Sequence, residues 1–143
     1  MNYHEEKMNL LSVPQGYAIA HCISADFALG AGVAKQIEEV FGMRDMLRRR
    51  FDYMDFQADG PYCAPCLNVY NLVTKEKYWH RPTLDTLREA LLDMKVTANE
   101  DGVKKIAMPR IGCGLDRLSW EDVKPMIQEI FADTDIEILV CSL

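Results

Sequence analysis

Apolar positions along the chain fall into two alternating patterns. Near-continuous runs rich in β-branched and aromatic residues, Tyr17 to Ile23, Leu67 to Val73, Lys105 to Met108 and Ile136 to Cys141, predict buried strands, with a weaker one over Met8 to Val13. Between them, apolar residues recur at helical spacing. Val33, Ile37, Val40 and Phe41 share one face before Gly42, and Leu84, Leu87, Leu91 and Met94 share another after Pro82-Thr83, with Asp85 favourable in the first turn. A third stripe is Val123, Met126, Ile127, Ile130 and Phe131. Ser119 with Asp122 reads as a capping box for that helix, and Pro125 is expected to make its first turns irregular by removing a backbone donor. Buried strands interleaved with helices imply an α/β fold, one layered sheet covered on both sides, in which ligands bind at the strand carboxyl ends.

Two of those strands empty into glycine-spaced turns. Met108-Pro109-Arg110-Ile111-Gly112-Cys113-Gly114-Leu115-Asp116 leaves one strand, and Gly112 and Gly114 let consecutive backbone N–H groups turn towards one anion. The helix beyond adds the positive end of its dipole, so a phosphate-bearing ligand is the natural guest. A second loop, Gly30-Ala31-Gly32-Val33-Ala34, opens the first helical stripe. It is not the dinucleotide fingerprint, because Lys35 stands where a third glycine or alanine is required and Gly30 lies seven positions beyond Ile23. Neither loop carries G-K-[ST], which excludes a P-loop.

Composition narrows the class. A chain of 143 residues, 49% of them hydrophobic, supports one domain with a sizeable core. It has no apolar run long enough to cross a bilayer, and Met1 to Glu6 lacks the features of a signal peptide, so a cytoplasmic or nuclear monomer is expected. Five cysteines, an odd number, fit reduced thiols. The net charge of −6 argues against strong non-specific nucleic-acid binding, so a nucleic-acid substrate would have to be held locally. Cys63-Ala64-Pro65-Cys66 has the spacing of a redox pair, but a strand rather than a helix N-terminus follows it, and no second pair completes a zinc site. No metal or cofactor is expected. Arg48-Arg49-Arg50 reads as a solvated helix face, His21 as a core histidine, Trp120 as packing at a helix start, and Trp79-His80 as a cover for a nucleotide.

The segments Ala20-His21-Cys22-Ile23-Ser24, Gly30 to Ala34, Leu72-Val73-Thr74-Lys75, His80-Arg81-Pro82-Thr83 and Met108 to Trp120 together resemble the macro domains of the terminal ADP-ribose protein glycohydrolase type, over nearly the whole chain. The resemblance implies a three-layer α/β/α sandwich around a mixed sheet. It implies ADP-ribose as ligand and hydrolytic release of ADP-ribose from mono-ADP-ribosylated acceptors: protein carboxylates, DNA bases or O-acyl-ADP-ribose. Carried over residue by residue, it places Gly30, Ala31, Gly32, Val33 and Ala34 around the distal ribose. Ile111, Gly112, Cys113, Gly114 and Leu115 fall at the diphosphate, and Lys75 and Asp116 form the catalytic pair. Ser24 is another ligand-side position, and Asn9, Leu10 and Leu143 fall near the adenine. Asn9 is a departure, since an acid commonly stands there; its carbonyl can accept a hydrogen bond from the adenine amino group, without charge assistance.

The chemistry of the residues agrees. A lysine at the end of a buried strand can attack an electrophilic anomeric carbon, and an aspartate leaving the diphosphate loop can take its proton and then assist hydrolysis. The competing reading is a module that binds ADP-ribose without turning it over. It would need both loops but neither Lys75 nor Asp116.

Overall fold

The computed structural model describes residues 1–143. Six strands form one mixed sheet: β1 (Asn2–Lys7), β2 (Ala18–Ser24), β3 (Tyr62–Cys66), β4 (Val69–Lys75), β5 (Lys105–Met108) and β6 (Glu137–Ser142), in the order β1-β6-β5-β2-β4-β3. All neighbours are parallel except the edge pair β3 and β4. The helices are α1 (Gly32–Phe41), α2 (Met43–Phe51), α3 (Phe56–Asp59), α4 (Leu84–Asp101) and α5 (Trp120–Phe131).

Strand alternation sends each residue to one of two cores. Ala18, Ala20, Leu72, Ile106, Met108, Ile138 and Val140 meet α4 and α5 through Leu87, Leu91, Met94, Ile127 and Phe131. Ile19, Ile23, Val69, Val73, Ala107 and Leu139 face the other way, towards Ile37 of α1 and Met43 and Leu47 of α2. The three layers are therefore those of an α/β/α sandwich. The chain leaves β2 for the α1 side and leaves β4 and β5 for the α4/α5 side, so a crevice opens at their carboxyl ends.

The expected strands at the sheet centre are present, with bounds shifted by up to two residues, and four expectations are corrected. Met8 to Val13 is not a strand: Asn9 caps a short 3-10 helix, Leu10–Ser12, its side-chain oxygen accepting from the Leu11 N–H at 2.9 Å. The strand lies just before it, in the polar run Asn2–Lys7, which pairs along its whole length with β6 at the sheet edge. The α1 stripe runs through Val33, Ala34, Ile37 and Phe41 and leaves Val40 in solvent. Ser119 is the residue before α5, but its side chain makes no capping bond; its carbonyl accepts from Asp122 and Val123 instead, and the helix continues through Pro125. By contrast, Thr83 and Thr86 form a reciprocal cap at the start of α4, with bonds of 3.1 and 2.9 Å.

Candidate active site

Every residue singled out in the sequence as ligand-side lines one cavity of about 1020 Å³ at the carboxyl ends of β2, β4, β5 and β6. Leu10 is buried in its wall, and Leu143 stands exposed at its rim.

The β5 loop is shaped by Gly112, whose φ of +74° and crowded surroundings both exclude a side chain: an added Cβ would lie 3.0 Å from Leu118 and 3.2 Å from Leu87. Gly114 is needed for neither reason, because its φ is not positive and nothing lies within 4 Å of an added Cβ. The Cys113 and Leu118 N–H groups close turns onto Arg110 and Gly112, whereas those of Gly114, Leu115 and Asp116 have no backbone acceptor and remain free for an anion. Cys113 is half-buried, its thiol directed at the Ile111 carbonyl and its pKa raised by burial, as befits packing beneath the loop.

The β2 loop supplies a second set of donors. Ala31 precedes α1 with no side-chain cap, leaving the first N–H groups of the helix, Gly32 to Ala34, open towards the cavity. The approach to this helix is strained, with Phe27 at φ +54° and Leu29 at +42°, each costing about 1 to 2 kcal/mol. Two restraints hold it. Both side chains are buried, and Arg44 of α2 donates from Nε to the Phe27 carbonyl at 3.2 Å and from Nη2 to the Ala28 carbonyl. Asp26 accepts from the Ser24 hydroxyl at 2.5 Å, the Tyr78 N–H at 3.0 Å and the Ala28 N–H at 3.2 Å. Burial pushes its carboxyl up, but those donors together with Lys77 hold it below the usual carboxylate range. The Ser24 hydroxyl is thus occupied as an anchor. Asp26 and Arg44 were not legible as site residues, because their work is to hold a loop whose strain no sequence pattern reports.

Lys75 and Asp116 meet at the distal end. The Lys75 Nζ donates to Asp116 Oδ1 at 2.6 Å, and each side chain is 15% exposed. The register of β4 against β2 slips by one residue here: Ile23 pairs with Val73, and Ser24 with Lys75, leaving Thr74 unpaired. Such an irregularity re-aims the residue that follows, and this one turns Lys75 at the strand end. Cys22 lies close enough to feel both charges; burial, and then Asp116, push its thiol far up, so it is a neutral floor and not a nucleophile. Beneath the loops, His21 is buried, as expected. Its Nε2 donates to Asn71 Oδ1 at 2.5 Å, while Asn71 Nδ2 donates to the Ala64 carbonyl, and burial lowers the imidazole pKa to about 4.

Cys63 and Cys66 do not form a pair. Three positions apart on β3, they point into opposite cores, and burial raises both thiols. Arg48, Arg49 and Arg50 are exposed on α2, Arg49 bridging to Asp45 at 3.0 Å. Trp120 is half-buried at the start of α5, with Arg110 over its ring. Tyr78, Trp79, His80 and Arg81, in the loop that follows β4, also line the cavity.

Residues 20–127 match the Macro domain family. The chain belongs to the macro domain family. This macro domain is 40% identical over 141 residues to the human ADP-ribose glycohydrolase OARD1, the match spanning 96% of this chain and 89% of the relative. It is 29% identical over 133 residues, 85% of its length and 35% of the relative, to a DNA ADP-ribosyl glycohydrolase of Thermus aquaticus. The solved macrodomain of Thermus aquaticus DarG superposes with a TM-score of 0.80 at 23% identity, covering 99% of this chain and 98% of that one, which bears on the fold alone. No helix is long and apolar enough to cross a membrane.

Proposed function

We propose that this macro domain is a hydrolase that releases ADP-ribose from mono-ADP-ribosylated acceptors. The observation that carries the reading is the 2.6 Å contact between Lys75 Nζ and Asp116 Oδ1, placed at the end of a cavity whose two loops present free N–H groups. The relatives named as ADP-ribose and DNA ADP-ribosyl glycohydrolases support it.

In this reading the diphosphate rests on the Ile111 to Leu115 loop, and the distal ribose lies over Gly30 to Ala34 with its anomeric carbon facing Lys75. A protonated amine has no lone pair to offer, so Nζ first passes a proton to Asp116 along the existing hydrogen bond. Nζ then bonds to the anomeric carbon while the bond from that carbon to the acceptor breaks, and the acceptor leaves with the electron pair, as a carboxylate if it was an ester. The ring then opens as a proton passes from the nitrogen to the ring oxygen, which gives a protonated lysine imine. Asp116, having released its proton to the departing acceptor or to solvent, takes a proton from the water that adds to the imine and passes it to the nitrogen, and collapse expels the lysine amine and frees ADP-ribose. The free backbone donors contribute binding energy throughout, while the Lys75 bond exists only along the reaction path.

Incubation of the purified protein with a mono-ADP-ribosylated protein and an ADP-ribosylated oligonucleotide, followed by chromatography for free ADP-ribose, tests the reading. Release from either acceptor is expected. ADP-ribose binding without release from any acceptor would leave the binding module as the function.

A further inference from the structure

The loop after Lys75 brings three consecutive aromatic rings to the cavity. Tyr78 and Trp79 are 63% and 64% exposed, although they line the cavity. Their rings meet edge to face at 5.0 Å, and Trp79 meets His80 at 5.5 Å. The loop that carries them is fastened at both ends. The Tyr78 N–H bonds to Asp26 of the β2 loop, Lys77 and His80 exchange two bonds of 3.0 and 3.3 Å, and Pro82 is buried just before the capped start of α4. Two large rings are therefore carried on an anchored backbone with most of their surface facing water.

Topology decides which part of a substrate they meet. Asn9 follows β1 and Leu143 follows β6, whereas the aromatic loop follows β4. β4 is four strands from β1 and three from β6 in the sheet order. At a strand spacing of about 4.8 Å this separates the aromatic loop from the adenine end by roughly 14 to 19 Å. With the distal ribose between the two glycine loops and Lys75, the rings flank the group being released and not the adenine, so the expected cover over the nucleotide is on the acceptor side. Arg81, two positions beyond Trp79, also lines the cavity and brings a positive charge beside the rings, in a protein of net charge −6.

We infer that Tyr78 and Trp79 form an acceptor subsite that stacks an unpaired nucleobase, so that the protein selects ADP-ribose linked to a base in single-stranded nucleic acid over ADP-ribose linked to an aliphatic side-chain carboxylate. The inference rests on the hydrolase reading above. A carboxylate on an aliphatic stem has no π face to offer these rings, while any base does, and stacking of one base on one aromatic side chain is worth roughly 10- to 100-fold in affinity. Arg81 offers a charge to one flanking phosphate without making the whole protein a nucleic-acid binder.

The test compares kcat/KM for single-stranded oligonucleotides carrying ADP-ribose on thymine or guanine with that for a glutamate-ADP-ribosylated protein, in the parent and in Tyr78→Ala, Trp79→Ala and Trp79→Phe. The DNA-to-protein ratio should fall roughly 10- to 100-fold in Trp79→Ala and return most of the way in Trp79→Phe, which keeps a stacking face. An unchanged ratio, or a parent that cleaves only the protein substrate, overturns the subsite while leaving the hydrolase intact. A parent that releases ADP-ribose from neither removes the hydrolase reading and the subsite with it. A turnover-independent readout is quenching of tryptophan fluorescence when an unmodified oligothymidine is added to the ADP-ribose-loaded protein. Quenching should disappear in Trp79→Phe, and its persistence through Trp120 would place the base elsewhere and overturn the proposal.

Discussion

Gly32 and Leu115 bring the two anion loops into contact: a Cβ added at Gly32 would lie 3.3 Å from Leu115 Cδ1, and the backbone there has φ +59°. Gly32→Glu should therefore abolish ADP-ribose binding, by prising the loops apart and placing a carboxylate where the ligand is anionic. Calorimetry at millimolar ADP-ribose checks this, with circular dichroism to show that the fold survives. Retained affinity would remove the distal ribose from this loop. Gly112→Ala should instead cost stability, about 1 to 2 kcal/mol for the positive φ alone, with the crowding by Leu87 and Leu118 added.

Binding and turnover should separate at Lys75. Lys75→Ala should bind ADP-ribose nearly as well as the parent and lose turnover by several orders of magnitude, because an interaction confined to the reaction path is missing. Full activity in this variant would end the lysine-nucleophile mechanism and leave water activation by Asp116.

Asp116→Ala keeps the nucleophile, whose proton must then pass to solvent, and lacks the group that helps water to attack. It should turn over slowly and accumulate ADP-ribose on Lys75, seen as a mass increase of the intact protein after exposure to substrate. An adduct mapped to a different residue would reassign the nucleophile.

Asn9 already caps the Leu10–Ser12 turn, and Asp caps equally well, so Asn9→Asp should preserve the local structure. A charged acceptor for the adenine amino group should tighten ADP-ribose by roughly 1 kcal/mol. Calorimetry that finds affinity unchanged or weaker would show that Asn9 does not meet the base.

Acid should destabilise the fold through His21 before it reaches the carboxylates. The unfolded chain binds a proton at this imidazole below about pH 6.5, whereas the buried ring does not until about 4. The stability His21 confers is complete above about 6.5 and is lost as the pH falls towards 4, a difference on the order of 3 kcal/mol. The Asp26 carboxyl, held low, adds its own loss at still lower pH. Urea midpoints measured from pH 7 to 4 should fall more steeply in the parent than in His21→Gln, which has no titrating group there. Parallel slopes would show that His21 is not the source.

The sequence by itself determined what depends on local constraint. Strands at the sheet centre are buried on both faces and must be apolar, so β2, β4, β5 and β6 could be read from composition. Gly32 and Gly112 have positive φ, a demand that glycine-spaced turns signal in one dimension, although the same spacing also pointed to Gly114, where no glycine is required. Lys75 and Asp116 were legible as residue types at the ends of strand and loop.

Their meeting was not, because it depends on how distant segments are set against each other. Lys75 and Asp116 are 41 positions apart, and a one-residue slip between β2 and β4 turns the lysine towards the aspartate. Only the tertiary structure decided that the polar run Asn2–Lys7 is a strand, since an edge strand is held by its backbone ladder and places few demands on its side chains. It also decided that Asp26 and Arg44 hold a strained loop, that Cys63 and Cys66 part to opposite faces, and that the aromatic loop lines the same cavity as Lys75. In each case strand order and register fix the distances, and a linear pattern of side chains carries neither.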